Sequence, residues 1–290
     1  MKLAYCSART GGLRFSGAVA VLAVVLASPG CVDIVGADLA QFTDREEKRF
    51  TVTGTPDVTV GTFDGSIEIR PWDKPEVEVV IEKHGRSKAA TDAIEVHAEH
   101  DGNHVTVEAR LAGAEGHGFH FSVSRSAKLI VSLPKASNVV AKSGDGAIDI
   151  ERIDGRVQLQ SGDGSIRATD IGGDLDVHTG DGSITVAGKL ASLRAHSGDG
   201  SVRIHLSDGS TPASDWDIST GDGSVTLEIP DGFAAELDAH TGDGGISMQD
   251  VTLSNVTGRI GKSSLRGRLG NGGHNVRVRT GDGSITLKRS

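Results

Sequence analysis

The chain has 290 residues and a formal net charge of −9 at neutral pH, with 40 glycines and only 3% aromatic residues. This composition predicts a thin, turn-rich all-β body and argues against a thick globular core. The negative charge argues against nucleic acid as a partner, because phosphate backbones are bound by an excess of basic residues.

The N-terminus has the pattern of an export signal. Lys2, Arg9 and Arg14 precede the apolar run GAVAVLAVVLA at residues 17–27, with no acidic residue among them. The run is short for a bilayer-spanning helix, so residues 1–30 are predicted to be a secretory signal peptide. The chain is therefore expected in the periplasm, in the outer membrane or on the cell surface.

Cys31 follows the residues SPG, as at a lipoprotein cleavage site. Lipidation of Cys31 would anchor the exported chain to a membrane, whereas cleavage after Ala37 would release a soluble protein. Cys6 would be lost with the signal, so no intramolecular disulfide is expected. Residues 31–47 lack sustained periodicity and are predicted to be a tether.

Residues 48–135 read as an irregular series of strands that opens a β-repeat domain spanning residues 48–290. The strand-like segments are KRFTVTG, DVTVGTF, SIEIRPW, EVEVVIEKH, AIEVHAEH, HVTVEARL, FHFSVS and AKLIVSLP. Asp101-Gly102-Asn103 lies between two of them and predicts a hairpin turn.

Residues 136–290 contain a regular repeat. SGDGAIDI begins at 143, SGDGSIRA at 161, TGDGSITV at 179 and SGDGSVRI at 197, a spacing of 18 residues. Further copies begin at 220, 241 and 280, and a looser copy, TFDGSIEI, begins at 62. Aliphatic residues alternate on both sides of each Gly-Asp-Gly, so each unit is predicted to be two short strands joined by a corner.

A single unit cannot fold alone. Its roughly four aliphatic side chains contribute about 1.5–3 kcal/mol each, against roughly 1–2 kcal/mol of backbone entropy per residue. The constant phase favours parallel stacking into a repetitive β-solenoid, a narrow β-helix. An antiparallel meander is the alternative, because Asp-Gly is also a hairpin signal. A β-sandwich would leave the equal spacing unexplained.

The corner residues have a structural and a functional interpretation. Glycine is expected to supply positive φ, and each Asp carboxylate to accept backbone N–H groups of its own corner. Calcium bound between corners is the alternative, although calcium-binding solenoids use more Asp per turn; no other cofactor is predicted. Stacking would place these aspartates in one column: Asp64, Asp145, Asp163, Asp181, Asp199, Asp222, Asp243 and Asp282.

Two further groups of charged or titratable residues stand out. His178 and His196 each precede a corner and lie one repeat apart, so they are expected to stack on the outer surface, as plain surface residues or as zinc or pH-sensing groups. Residues 259–290 carry eight basic residues against Asp282 alone. As a last rung, this segment would block edge-to-edge aggregation, or it would contact anionic polymers or another copy.

Several segments together resemble the bacterial putative-adhesin family of Gly-Asp β-strand repeats, a domain of unknown function in cell-envelope proteins. They are FTVTG, TFDGSIEIRPW, LIVSLPKASNVVAKSGDGAIDI and GNGGHNVRVRTGDGSITL, and the resemblance covers residues 48–288. It implies an extracytoplasmic β-helix-like fold, a role at the cell surface and no catalytic residues.

The expected function is therefore a non-catalytic envelope protein that acts as an adhesin or surface scaffold, with an unknown envelope polymer or protein as partner. A calcium-stabilised structural protein is the first alternative. A β-helix polysaccharide lyase or hydrolase is the second, but such enzymes need nonequivalent carboxylates, whereas these carboxylates recur as identical corner residues.

Overall fold

A computed structural model describes residues 42–112, 125–258 and 262–290. The predicted signal peptide, Cys31 and the cleavage site after Ala37 lie outside these residues, as does the strand-like segment FHFSVS. Within the described part of the chain, no helix is long and apolar enough to cross a membrane.

The described chain is almost entirely β-structure, which confirms the all-β class. A short helix, α1 (Lys88–Asp92), is the exception. The strands before the regular repeats are β1 Phe42–Thr51, β2 Asp57–Thr62, β3 Ile67–Trp72, β4 Glu76–Gly85, β5 Ile94–Asp101, β6 His104–Leu111 and β7 Ser126–Pro134. The strands from the repeats onward are β8 Asn138–Ser143, β9 Ile148–Glu151, β10 Asp154–Ser161, β11 Ile166–Thr179, β12 Ile184–Ser197, β13 Val202–Leu206, β14 Trp216–Thr220, β15 Val225–Ile229, β16 Ala235–Thr241, β17 Ile246–Gln249, β18 Ser254–Gly258, β19 Ser264–Leu269, β20 Asn275–Thr280 and β21 Ile285–Arg289.

These strands pair in two long runs. Run 1 has the order β5-β6-β2-β8-β10-β11-β12-β14-β20-β16-β19-β18. Run 2 has the order β1-β4-β7-β3-β9-β11-β12-β13-β15-β21-β17. The long strands β11 and β12 take part in both runs, so all the strands belong to one hydrogen-bonded system.

Consecutive repeats pair in parallel, with like residue beside like residue. Ile166 lies beside Ile184, and Ile184 lies beside Val202. The repeats therefore do not form the antiparallel meander that was the alternative. Antiparallel pairs are confined to the two ends of the runs, where β1, β4, β5 and β6 stand at one end and β18 and β19 at the other. The predicted hairpin at residues 101–103 is confirmed, since Asp101 lies opposite His104.

The first strand begins earlier than the sequence pattern indicates. β1 starts at Phe42, inside the segment 31–47 that was assigned to a tether, and pairs along its length with β4. Glu46 lies 3.0 Å from Lys83, and Arg49 lies 2.7 Å from Glu78. A polar segment without hydrophobic periodicity is thus ordered by cross-strand pairing, which local sequence does not reveal.

The last repeat in the sequence is not the last in space. β20 lies between β14 and β16, and β21 lies between β15 and β17. The prediction that the basic C-terminal segment forms an exposed last rung is therefore wrong for these two strands. Sequence spacing orders the units along the chain, but the 39-residue interval between the corners at 241 and 280 lets the final unit insert between two earlier ones.

The inward residues of both runs form one hydrophobic core. Most strands bury every second side chain, as in β14, where Trp216, Ile218 and Thr220 are buried, whereas β1 and β18 bury none. The Trp216 indole Nε1–H donates to the Ala191 carbonyl at 3.2 Å, so its polar group is satisfied in the core.

Ile285 on β21 tests the interior position of the final repeat. Its side chain is 2% exposed and has paired strands on both sides. Ile285→Ala should lower the free energy of unfolding by about 2–5 kcal/mol, measured by urea denaturation, because the cavity cannot collapse between two fixed neighbours. Thr286→Ala, on the outward side of the same strand, is the control. A loss for Ile285→Ala no larger than that of the control would indicate a frayed terminal rung.

Candidate functional site

The Gly-Asp-Gly corners are held by buried hydroxyl groups. The Ser or Thr that begins each corner is buried in all eight copies. The Ser197 hydroxyl donates to the Gly182 carbonyl of the preceding corner at 2.8 Å and accepts the Gly200 N–H of its own corner at 3.0 Å. The same donation joins Thr179 to Gly164 at 2.9 Å. From Ser143 onward, each of the seven hydroxyls donates to a carbonyl of the neighbouring corner, and five of the seven also accept a glycine N–H of their own corner.

The corner glycines are required because the corners stack closely, whereas the sequence analysis expected them to supply positive φ. None of the corner glycines from Gly144 onward lies in the left-handed region; Gly65, in the looser first copy, does. A Cβ added at Gly180 would instead lie 2.6 Å from the Gly162 carbonyl oxygen, and one at Gly182 would overlap the Gly164 carbonyl. From Gly162 onward, the first glycine of each corner also donates its N–H to its counterpart, as Gly281 does to the Gly221 carbonyl at 2.6 Å.

The corner aspartates follow the spatial order of the strands, so Asp282 stands between Asp222 and Asp243. Seven of the eight are exposed, and Asp64 is partly buried. Among the described residues, no side-chain hydrogen bond reaches these carboxylates. The aspartates were expected to accept the backbone N–H groups of the corners, but the Ser and Thr hydroxyls do so instead. Exposure to water limits the repulsion to roughly 1 kcal/mol per neighbouring pair.

No group of three or more His, Cys, Asp or Glu that could hold a metal ion occurs in the described ranges. Calcium between corners therefore stays a prediction.

The outer face of run 1 carries a column of alternating charge. The column consists of the outward residues three before each of the five corners that begin at 179, 197, 220, 241 and 280, continued onto β19 opposite Asp238. Its members in spatial order are Asp176, Arg194, Asp217, Arg277, Asp238 and Arg266. Opposite charges on adjacent strands attract, so the column supports the observed strand order.

Basic residues of the C-terminal segment form ion pairs in this arrangement. Arg266 and Arg279 each lie 3.2 Å from Asp238, and Lys288 lies 2.7 Å from Glu228. Partial burial would raise the pKa of Asp238, but the hydrogen bond from Arg266 and the charges of both arginines lower it below its usual range. The hydrogen bond from Lys288 likewise lowers the pKa of Glu228.

The histidines before the corners lie on this same outer face. The rings of His178 and His196 are stacked, with centroids 5.0 Å apart and planes 10° apart, which confirms the expected stacking. The Nδ1 atom of His196 lies 2.9 Å from the Ser219 hydroxyl oxygen. Both imidazoles are exposed.

Gly182→Ala tests the close contact between corners. The added methyl group overlaps a backbone carbonyl that is fixed by its own strand pairing, so we expect a loss of about 1–3 kcal/mol in the free energy of unfolding, measured in urea. Ser183→Ala changes the next, exposed residue and serves as the control. Equal stability of the two variants would contradict the steric explanation.

Asp238→Asn tests the charge column through pH. Because the folded pKa is below the unfolded value of about 4, the carboxylate stabilises the fold fully above that value and loses this effect as pH falls through the folded pKa. The substitution should cost about 1 kcal/mol at pH 7 and much less at pH 3, measured by urea unfolding at both. Asp176→Asn, which removes a carboxylate without an ion pair within 4 Å in the described chain, is the control. A cost independent of pH would rule out the electrostatic role.

Comparison with known proteins places the chain in a family. The family model Toastrack DUF4097 matches residues 57–288. No curated protein matches the chain significantly. A putative cell adhesion protein from Clostridium sporogenes is 13% identical, with 86% of this chain and 100% of that chain covered and a TM-score of 0.39. A putative adhesin from Bacteroides fragilis is 11% identical, with 84% and 97% covered and a TM-score of 0.42. A putative lipid binding protein from Parabacteroides distasonis is 14% identical, with 84% and 96% covered and a TM-score of 0.34.

These TM-scores are too low for the likenesses to bear on function. The family match, in contrast, spans most of the sequence and includes every Gly-Asp-Gly corner. The chain belongs to the Toastrack DUF4097 family, whose domain has no known function.

Proposed function

We propose that this chain is a non-catalytic protein of the cell envelope, built as a β-solenoid whose flat outer face serves adhesion or scaffolding. The observation that carries the proposal is the outer face of run 1. There the stacked strands present polar side chains in straight columns, while the aliphatic residues are turned into the core. A rigid, repeated polar face can bind an extended partner at many points.

The electrostatics support a non-catalytic role. Catalytic acids and bases are recognised by pKa values that burial or like charges have moved toward neutrality. The carboxylates with a clear shift move the other way: the hydrogen bond from Lys48 lowers the pKa of Glu46, and hydrogen bonds from Asn275 lower the pKa of Asp215. These groups belong to separate surface contacts, as expected of structural ion pairs, and a polysaccharide lyase or hydrolase is the less favoured reading.

The N-terminal sequence supports export to the periplasm, the outer membrane or the cell surface, with lipidated Cys31 as the membrane attachment. The corner aspartates support a second candidate, in which calcium bound along the exposed column stabilises the solenoid. That candidate rests on the seven exposed carboxylates of the column.

Expression of the full chain, followed by fractionation and mass measurement of the mature N-terminus, tests the envelope assignment. We expect the protein in the envelope fraction, beginning at a lipid-modified Cys31, because the export pattern ends at that cysteine. Cys31→Ser should release it from the membrane fraction without changing its thermal unfolding midpoint.

The purified mature chain should also be retained on isolated cell envelopes. Recovery in the cytoplasm with residues 1–30 intact, or no retention on envelopes, would contradict the proposal.

A further inference from the structure

A continuous track runs across the outer face of run 1. Three shallow grooves on this face share their walls: the first and second share Arg156 and Gln158, and the second and third share Asp176 and Arg194. Together they cross β2, β8, β10, β11, β12 and β14. Five strand spacings make the track roughly 24 Å long, so its natural ligand is elongated.

The centre of the track is free of ion pairs among the described residues, whereas its two ends are not: Asp57 lies 3.3 Å from His104, and Asp217 lies 3.7 Å from Arg277. Arg156 and Arg194 have no carboxylate within 4 Å in the described part of the chain, and neither Asp174 nor Asp176 has a cation within that distance. Beyond β14 the corresponding arginines are engaged, with Arg268 2.7 Å from Glu236 as an example. The charged side chains at the centre of the track can therefore form hydrogen bonds with a ligand, whereas those beyond β14 already form ion pairs between strands.

The charges of the track select against a polyanion. Its lining includes four carboxylates, those of Asp57, Asp174, Asp176 and Asp217, but only the two guanidinium groups of Arg156 and Arg194. The remaining polar lining consists of amides such as Gln158, hydroxyls such as Ser192 and the stacked imidazoles of His178 and His196. An acidic polymer would meet net repulsion here, whereas a neutral one would meet donors and acceptors in close alternation.

The ligand is also unlike a peptide. An extended peptide binds best to a free sheet edge, where backbone groups pair and alternate side chains enter pockets. Every strand that lines the track is paired on both sides, and the track crosses those strands. Planar carboxylate, guanidinium and amide groups instead suit neighbouring hydroxyl groups, which can both donate and accept.

We propose that this track binds a neutral, hydroxyl-rich glycan chain that lies along the stacking direction. The inference rests on the proposed envelope function and names its ligand class. Because no Trp, Tyr or Phe lines the three grooves, each sugar is held by hydrogen bonds without an aromatic platform. Affinity is therefore weak for one sugar and rises with chain length, until the glycan spans the track.

The mature full chain should be tested against immobilised neutral polysaccharides, uronate-containing polysaccharides and peptides. We expect retention on at least one neutral polysaccharide and none on the acidic polymers or peptides. Oligosaccharides of that neutral polymer should compete better as they lengthen. Retention only on acidic polymers, only on peptides or on nothing overturns the inference.

Two sets of variants connect binding to the track. Arg194→Ala and Gln158→Ala should each weaken retention about tenfold, since each removes hydrogen bonds that a bound glycan would leave unpaired. Arg203→Ala, at an exposed outward position of β13 on run 2, is the matched control and should bind normally. The double variant Asp174→Asn with Asp176→Asn should gain binding to acidic polysaccharide. Full binding by Arg194→Ala, or no gain by the double variant, counts against the track.

Retention on isolated envelopes separates this inference from the proposed function. If the chain binds envelopes but no neutral glycan, the envelope role stands and the glycan class is wrong. If it binds neither, both fail. Thermal unfolding of each variant confirms that the fold is intact, and all four substituted residues have outward side chains on paired strands.

Discussion

The structure depends on the close approach of one corner backbone to the next. From Gly162 onward, each first glycine donates its N–H to the carbonyl of its counterpart in the neighbouring corner, and from Ser143 onward each Ser or Thr hydroxyl donates to that same corner from the inside. A side chain at either glycine would force the corners apart and break both contacts. Once the corner spacing is set, the strands on both sides are in register. The aliphatic side chains of neighbouring strands then lie side by side and pack in columns.

That register also decides what the outer surface can be. Outward residues at equal distances from their corners form columns. Residues that occupy the same position in successive repeats are therefore neighbours in space. In the column of Asp176, opposite charges alternate from strand to strand, and the final repeat fits between two acidic neighbours. On the same face, Arg156, Asp174, Asp176 and Arg194 form no ion pair within 4 Å in the described chain, whereas ion pairs join the strands beyond β14, so the proposed binding track lies on the first part.

Stability and the proposed function therefore occupy different sides of the same strands. The side chains of the corner aspartates, which suggest a metal column, hold no corner together, and all of them except Asp64 are exposed. The hydroxyls beside them perform that task from a buried position, where an unsatisfied backbone group would be costly. The proposed adhesion face needs neither group directly, because it depends only on the rigid spacing that they maintain.

The sequence by itself determined the all-β class, the repeat unit, the corner positions, the inward phase of each strand and the stacking of His178 on His196. All of these follow from local alternation and constant spacing. Only the tertiary structure decided the insertion of β20 and β21 between earlier strands, the pairing of residues 42–47 and the steric role of the corner glycines. These features depend on which strands meet across long intervals of chain, and local patterns carry no record of such partners. The sequence shows a Ser or Thr at the same position of every repeat. The hydrogen-bond partners of these hydroxyls lie one rung away, so they are identified only when the rungs are stacked.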